Sequence, residues 1–280
     1  MIRRAALLAL AIASCVVAPA AAQAVVDTRG REVVQVRTRP DAVGDIYRYR
    51  SETRFIQKDD QGGQTQSNTL LFDLEVLGVE TDGLRLRYTL REGKLTDSGG
   101  ASMSAAIDAA VGGSLDFRVG RHGELVAVET WPDYKTRLLA RIDAALPADD
   151  PIRAIVHERM ETAPLDAARE MALGDVMLMS VMEPLGRVPL GVTDLGGQDP
   201  TASKATLEFS LVKSGCVLAH SRETSRGASG AGSAVVSKAE LSVIDGRILS
   251  LEQHKVVRGP GGSQDETVTI KRLSAAPACG

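Results

Sequence analysis

The sequence is poor in the residues that carry most chemistry. Its 280 residues include three cysteines, four histidines and only nine aromatics: four Phe, four Tyr and Trp131. The histidines (His122, His157, His220 and His254) fall in separate segments. None stands at i, i+4 or in an H-x-H pair with another, and no C-x-x-C occurs. No metal site and no cofactor is therefore legible. No G-x-S-x-G nucleophile elbow is present. Ser210-Leu211-Val212-Lys213 matches S-x-x-K in letters only, because Ser210 and Lys213 point to opposite faces of a strand. The run Gly227-Ala228-Ser229-Gly230-Ala231-Gly232 is rich in glycine but lacks the Lys-Ser/Thr ending of a phosphate loop. So few aromatics, most on the apolar side of predicted strands, are poor material for stacking sugars or bases.

A basic excess is also missing. Lys and Arg number 33 against 36 Asp and Glu, for a formal charge of −3. That leaves no electrostatic footprint for nucleic acid or an anionic membrane. The carboxylate pair Asp149-Asp150 precedes Pro151, where a helix N-terminus favours negative charge.

Only one long apolar run exists, from Ala5 to Val17. It is too short for a membrane span of about 20 residues. Arg3-Arg4 precedes it, and Ala18-Pro19-Ala20-Ala21-Ala22-Gln23 follows. Charge, apolar run and A-x-A form the signature of a secretory signal. Residues 1–22 read as a signal peptide cut between Ala22 and Gln23, with a cut after Ala24 as second choice. The expected product is an exported chain, periplasmic or secreted, spanning 23–280 as a single β-rich domain. Ile12-Ala13-Ser14-Cys15 offers a different route, a lipobox whose acylated Cys15 would tether the chain to the outer membrane. The residues after Cys15 stay apolar, which argues against it. Ordinary cleavage leaves Cys216 and Cys279, expected to pair in an oxidising compartment and to pin the C-terminal tail.

What is present is alternation. Tyr47, Tyr49, Ser51, Thr53 and Phe55 oppose Arg48, Arg50, Glu52 and Arg54. Residues 70–76 and 84–90 repeat the pattern, with Asp82-Gly83 between them as a hairpin signal. A shorter strand is expected at 32–37. Met103, Ile107 and Val111 suggest a short helix, and 115–129 reads as a hairpin. Pro132 then opens a helical insert at about 132–173, with a second helix from Pro151 and a third stopped at Gly174. The apolar stretch 176–182 fits either a buried strand or a helix. Strands return at 205–212, 217–222, 235–243, 247–257 and 267–273. A Gly-rich loop at 227–233, the Asp245-Gly246 turn and a linker at 259–264 separate them. Trp131 and Tyr134 sit where meander meets helices and are expected to seal that junction. The fold class is α+β, predominantly antiparallel β: a curved sheet or half-barrel with a helical insert.

The phrase LDFRVGRHGELVAVETW at 115–131 has an echo in AELSVIDGRILSLEQH at 239–254. A long meander with these phrases and a helical pair between them resembles certain exported bacterial proteins of unknown function. In broad shape it is similar to the half-barrels of periplasmic lipoprotein carriers. That resemblance implies a non-catalytic binding or structural role in the envelope, with an apolar small molecule, a lipid or an envelope protein as partner. It transfers no binding residue. An uncharacterised periplasmic hydrolase is the alternative, and it requires a cleft holding a carboxylate or histidine of perturbed pKa.

Overall fold

The computed structural model describes residues 31–278, apart from 60–61, 99–103, 163–164, 196–201 and 229–230. Cys15, Ala22, Gln23 and Cys279 lie outside the described residues.

After a short strand β1 (Val33–Gln35) come three long ones, β2 (Ile46–Asp59), β3 (Gly62–Glu80) and β4 (Gly83–Asp97). Tyr47, Tyr49 and Ser51 are buried between exposed Arg48, Arg50 and Glu52, as the period of two demands. Helix α1 (Ser104–Ala110) leads to the hairpin β5 (Ser114–Gly120) and β6 (Leu125–Val128). Helices α2 (Trp131–Ala145), α3 (Pro151–Thr162) and α4 (Leu165–Met182) follow. Asp150 caps α3 through Ile152 N–H at 2.8 Å. The C-terminal part comprises β7 (Arg187–Pro189), β8 (Gly191–Asp194), β9 (Ala202–Val212), β10 (Val217–Ala228), β11 (Ala231–Ser242), β12 (Ile248–Gly259) and β13 (Gly262–Arg272).

Eleven strands form one antiparallel sheet in the order β6-β5-β4-β3-β2-β13-β12-β11-β10-β9-β8. The sheet is curved and open, as the alternation predicts. Pairing of β13 with β2 joins the two meanders, with Ile270 opposite Ser51. Strands this long twist, and register shifts in β3 beside Phe72 and Gly78 add local bends. On the outer face Asp73 is held by Arg48 at 2.7 Å and Arg91 at 2.8 Å, bridging three strands.

The concave face is the core. Tyr49, Phe72, Leu115, Phe117, Ile142, Leu173, Met182, Ile248, Leu251 and Ile270 are buried in one cluster. Tyr49, Phe72 and Tyr88 pack ring on ring. Trp131 and Tyr134 are both buried and stack at 5.8 Å, closing the junction as expected. At the far end a ribbon of β1 and β7 buries Val36 and Val188 against Phe209 and Leu218.

Several expectations need correction. The third helix does break at Leu173, which is non-helical, but a further helical segment continues α4 from there to Met182. The stretch 176–182 is therefore helix rather than strand, burying Val176, Met179 and Met182 and leaving Val181 exposed. The helical insert therefore reaches 182 rather than 173. The linker at 259–264 is a tight hairpin, with β12 and β13 pairing up to Gly259 opposite Gly262. The Gly-rich loop at 227–233 is shorter than expected, since β10 and β11 pair out to Ala228 and Ala231. Strands β7 and β8 are too short to show a period.

Cys216 follows a 3-10 turn and is not a free thiol.

Candidate functional site

A cavity of about 280 Å³ lies between β3, β4 and β5 on one side and the C-terminal half of α4 on the other. Its walls are apolar: Leu74, Leu84, Leu86 and Val119 from the sheet, Val176 and Met179 from the helix. At the opening exposed Val79 and Leu185 stand beside exposed Glu80, Thr81 and Arg121. The β5–β6 turn presses on α4 at one edge. A Cβ on Gly123 would stand 2.9 Å from the Ser180 carbonyl oxygen, at a φ of +79°.

The opposite edge is charged. Arg37, Asp41, Glu183 and Arg247 line the cavity there and belong to one buried ion cluster. They arrive from three places: the segment after β1, the end of α4 and the turn before β12. Arg247 donates through Nη1 to Glu183 Oε2 at 2.9 Å and through Nη2 to Asp41 Oδ1 at 2.9 Å. Arg37 donates to the same two acids, at 3.0 Å to Asp41 and 3.1 Å to Glu183. Glu183 Oε1 accepts the Ile248 N–H. Asp41 also accepts the Tyr47 hydroxyl at 2.7 Å. Below, Arg272 donates to Asp245 at 2.8 Å, and both Arg247 and Arg272 lie over the Tyr47 ring. Burial pulls the Arg247 pKa down, but Glu183 and Asp41 outweigh it and hold the guanidinium charged. Burial, then the bond to Asp41, pushes the Tyr47 phenol well above its ordinary value. Two cations and two carboxylates balance in the cluster, which is what makes it tolerable away from water.

Arg37 is in the left-handed region, at φ 59°. A non-glycine residue there is strained and persists only where the surroundings insist on it. Here Gly246 makes room: a Cβ on it would lie 2.2 Å from Arg37 Cγ.

The histidines are not assembled into a site. His157 meets Asp143 at 2.7 Å and His254 meets Asp265 at 3.0 Å, both at the surface, and His122 lies in the β5–β6 turn. His220 is buried, with Nδ1 against the Met182 carbonyl at 2.8 Å, and burial lowers its pKa to about 4. Among the described residues, no group of three or more His, Cys, Asp or Glu could hold a metal. No helix among them is long and apolar enough to cross a membrane. The sequence reading missed the ion cluster altogether. Its one local trace is an arginine directly after Asp245-Gly246; nothing local ties Glu183 to Asp41.

No protein-family model and no curated protein matches the chain. Among solved structures it is similar to lipovitellin, from a study of lipid–protein interactions, at 9% identity and a TM-score of 0.48. That match covers 85% of this chain and 26% of the other, so the chain spans about a quarter of it. A putative outer membrane lipoprotein-sorting protein domain from Vibrio parahaemolyticus matches at 9% identity and TM-score 0.16, over 82% and 87% of the two chains. MucB, in complex with MucA, matches at 11% identity and TM-score 0.11, over 81% and 88%. Likenesses this distant carry no argument about function, and the cleft has to be judged on its own residues.

Proposed function

We propose that the protein is an exported carrier or receptor for a small apolar or amphiphilic ligand, held in the cleft between β3–β5 and α4. The observation that carries this reading is the cavity itself: apolar walls and a charged edge whose groups answer each other. Ligand sites combine mostly apolar walls with a few placed polar groups. Such pockets run from about 300 to 1,000 Å³, and 280 Å³ stands at the lower edge. The space suits one acyl chain or a compact apolar molecule rather than a whole diacyl lipid. Export rests on the N-terminal signature, with residues 1–22 removed at Ala22–Gln23.

The hydrolase alternative gains no support from the cleft. Its two carboxylates, Asp41 and Glu183, are each bonded to two guanidinium groups, so neither is free to take a proton from water.

The test is titration of the mature chain with the fluorescent apolar probe N-phenyl-1-naphthylamine. Saturable one-to-one binding is expected. Leu84→Trp, which fills the cleft from a half-buried position, should abolish it while the melting temperature holds. Binding that survives this substitution places the probe elsewhere and refutes the cleft as the site.

A further inference from the structure

Arg222 stands apart from the other inward-facing charges. It lies on β10 opposite Leu207 of β9 and Ser237 of β11. Its side chain therefore shares the concave face with His220, two residues earlier. The guanidinium is half-buried. Among the described residues it has no ion pair and no hydrogen bond. Burial alone pushes it below the ordinary arginine range, and no carboxylate offsets the effect. Arg247 and Arg272 lie deeper, and they and Arg37 each have a carboxylate. A half-buried guanidinium with no partner in the protein is available to an oxyanion.

The surroundings suggest what answers it. Ser237 is buried, and its Oγ accepts a hydrogen bond from Gln253 Nε2 at 3.0 Å, which leaves its own proton to donate. The strand register places Glu266 on the same face three strands away, and it is already engaged by Lys255. Leu207 and Phe209 border the site with apolar surface. His220 on this face is not one of the donors: its Nδ1–H donates to the Met182 carbonyl, which leaves the buried Nε2 an acceptor. A cation and a hydroxyl donor beside apolar side chains fit an oxyanion carried on an apolar body.

We propose that Arg222 receives the oxyanion, a carboxylate or a phosphate, of an amphiphile whose apolar part lies along the concave face. The proposal rests on the apolar-ligand reading above but not on its cleft, since β2, β13, β12 and β11 stand between β3 and β10, and its test separates the two. Binding of dodecanoate, dodecyl phosphate, dodecanol and inorganic phosphate is measured by calorimetry on the mature chain, on Arg222→Gln and on Arg222→Lys. The parent should prefer the two anionic amphiphiles over dodecanol by about tenfold or more. Arg222→Gln should erase that preference and leave dodecanol binding unchanged, while Arg222→Lys retains part of it. Arg222→Gln should melt no lower than the parent, because it removes an unanswered charge; Arg222→Met gives the same comparison without a polar head. A preference that survives in Arg222→Gln overturns the proposal and leaves the apolar reading intact. Binding of inorganic phosphate that needs Arg222, with no binding of dodecanol or dodecanoate, keeps the oxyanion site and removes the amphiphile. Absence of binding by all four ligands overturns both.

Discussion

Asp175→Asn should stabilise the protein at neutral pH and leave it unchanged in acid. Asp175 lies on α4 two residues past the kink, facing Ser51 of β2. Burial pushes its carboxyl up to about 6; the Ser51 hydroxyl pulls back, and the charge of Glu266 adds to the rise. The unfolded chain ionises near the ordinary value of 3.8. The native state therefore holds this proton more tightly than the unfolded state, and stability falls as pH climbs from about 4 to 6. At 1.36 kcal/mol for each pH unit between the two values, the penalty at neutral pH is about 3 kcal/mol at most. Asparagine cannot ionise, so the variant escapes it. The assay is urea unfolding of both proteins across that range at fixed ionic strength, read as the difference in unfolding free energy. The difference should be near zero at about pH 4 and reach its plateau near neutrality. His220 works in the opposite sense. Burial lowers its pKa to about 4, so its contribution is complete above the unfolded value of 6.5 and is lost on acidification toward 4. In the parent the two slopes oppose each other, and the variant should expose the histidine slope. A difference that does not change with pH would refute the reasoning, since it would mean that Asp175 is solvated.

Four further outcomes are expected. Glu183→Gln removes a carboxylate shared by two buried guanidinium groups and should cost about 3–5 kcal/mol in chemical denaturation. Gly246→Ala forces a Cβ onto Arg37 at a φ of +67° and should cost about 1–3 kcal/mol, of which Arg37→Ala in the same chain recovers only the steric part. The proposed Cys216–Cys279 bridge closes a loop that includes β11 to β13, and Arg272 links the tail carbonyl of Ala275 to Asp245 close by. Non-reducing peptide mapping should recover the linked peptides, and reduction should cost about 4 kcal/mol at most. Intact mass of the exported chain should begin at Gln23, and a diacylglycerol adduct on Cys15 would contradict the cleavage route.

The sheet was legible wherever one face is wet and the other dry. In β2 the Tyr/Arg alternation announces strand, face and register together, and Asp82-Gly83 sets the next turn. The same logic fails in α4: the 176–182 stretch is apolar even on its exposed side, at Val181, and so carries no period. Packing against the sheet decides the matter, and packing is not a local property. The cleft was legible only as a possibility, an apolar sheet face with Leu- and Met-rich helices available to cover it. Its charged edge was not. Arg37, Asp41, Glu183 and Arg247 are ordinary surface residues in their own segments, and they become a cluster only when the end of α4 is set between two turns of the sheet.

The two central strands of the sheet, β2 and β13, are nearly the two ends of the described chain. A polypeptide emerging from a translocation channel N-terminus first would deliver β2 early and β13 last. Until then each meander has a long bare edge, the kind of edge that recruits foreign strands. Closure between segments so remote is slow, because loop entropy is spent before any contact returns it. The weak moment in this protein's life therefore precedes the arrival of residues 262–272. A chain cut short before them should present two unsealed half-sheets rather than a slightly smaller protein.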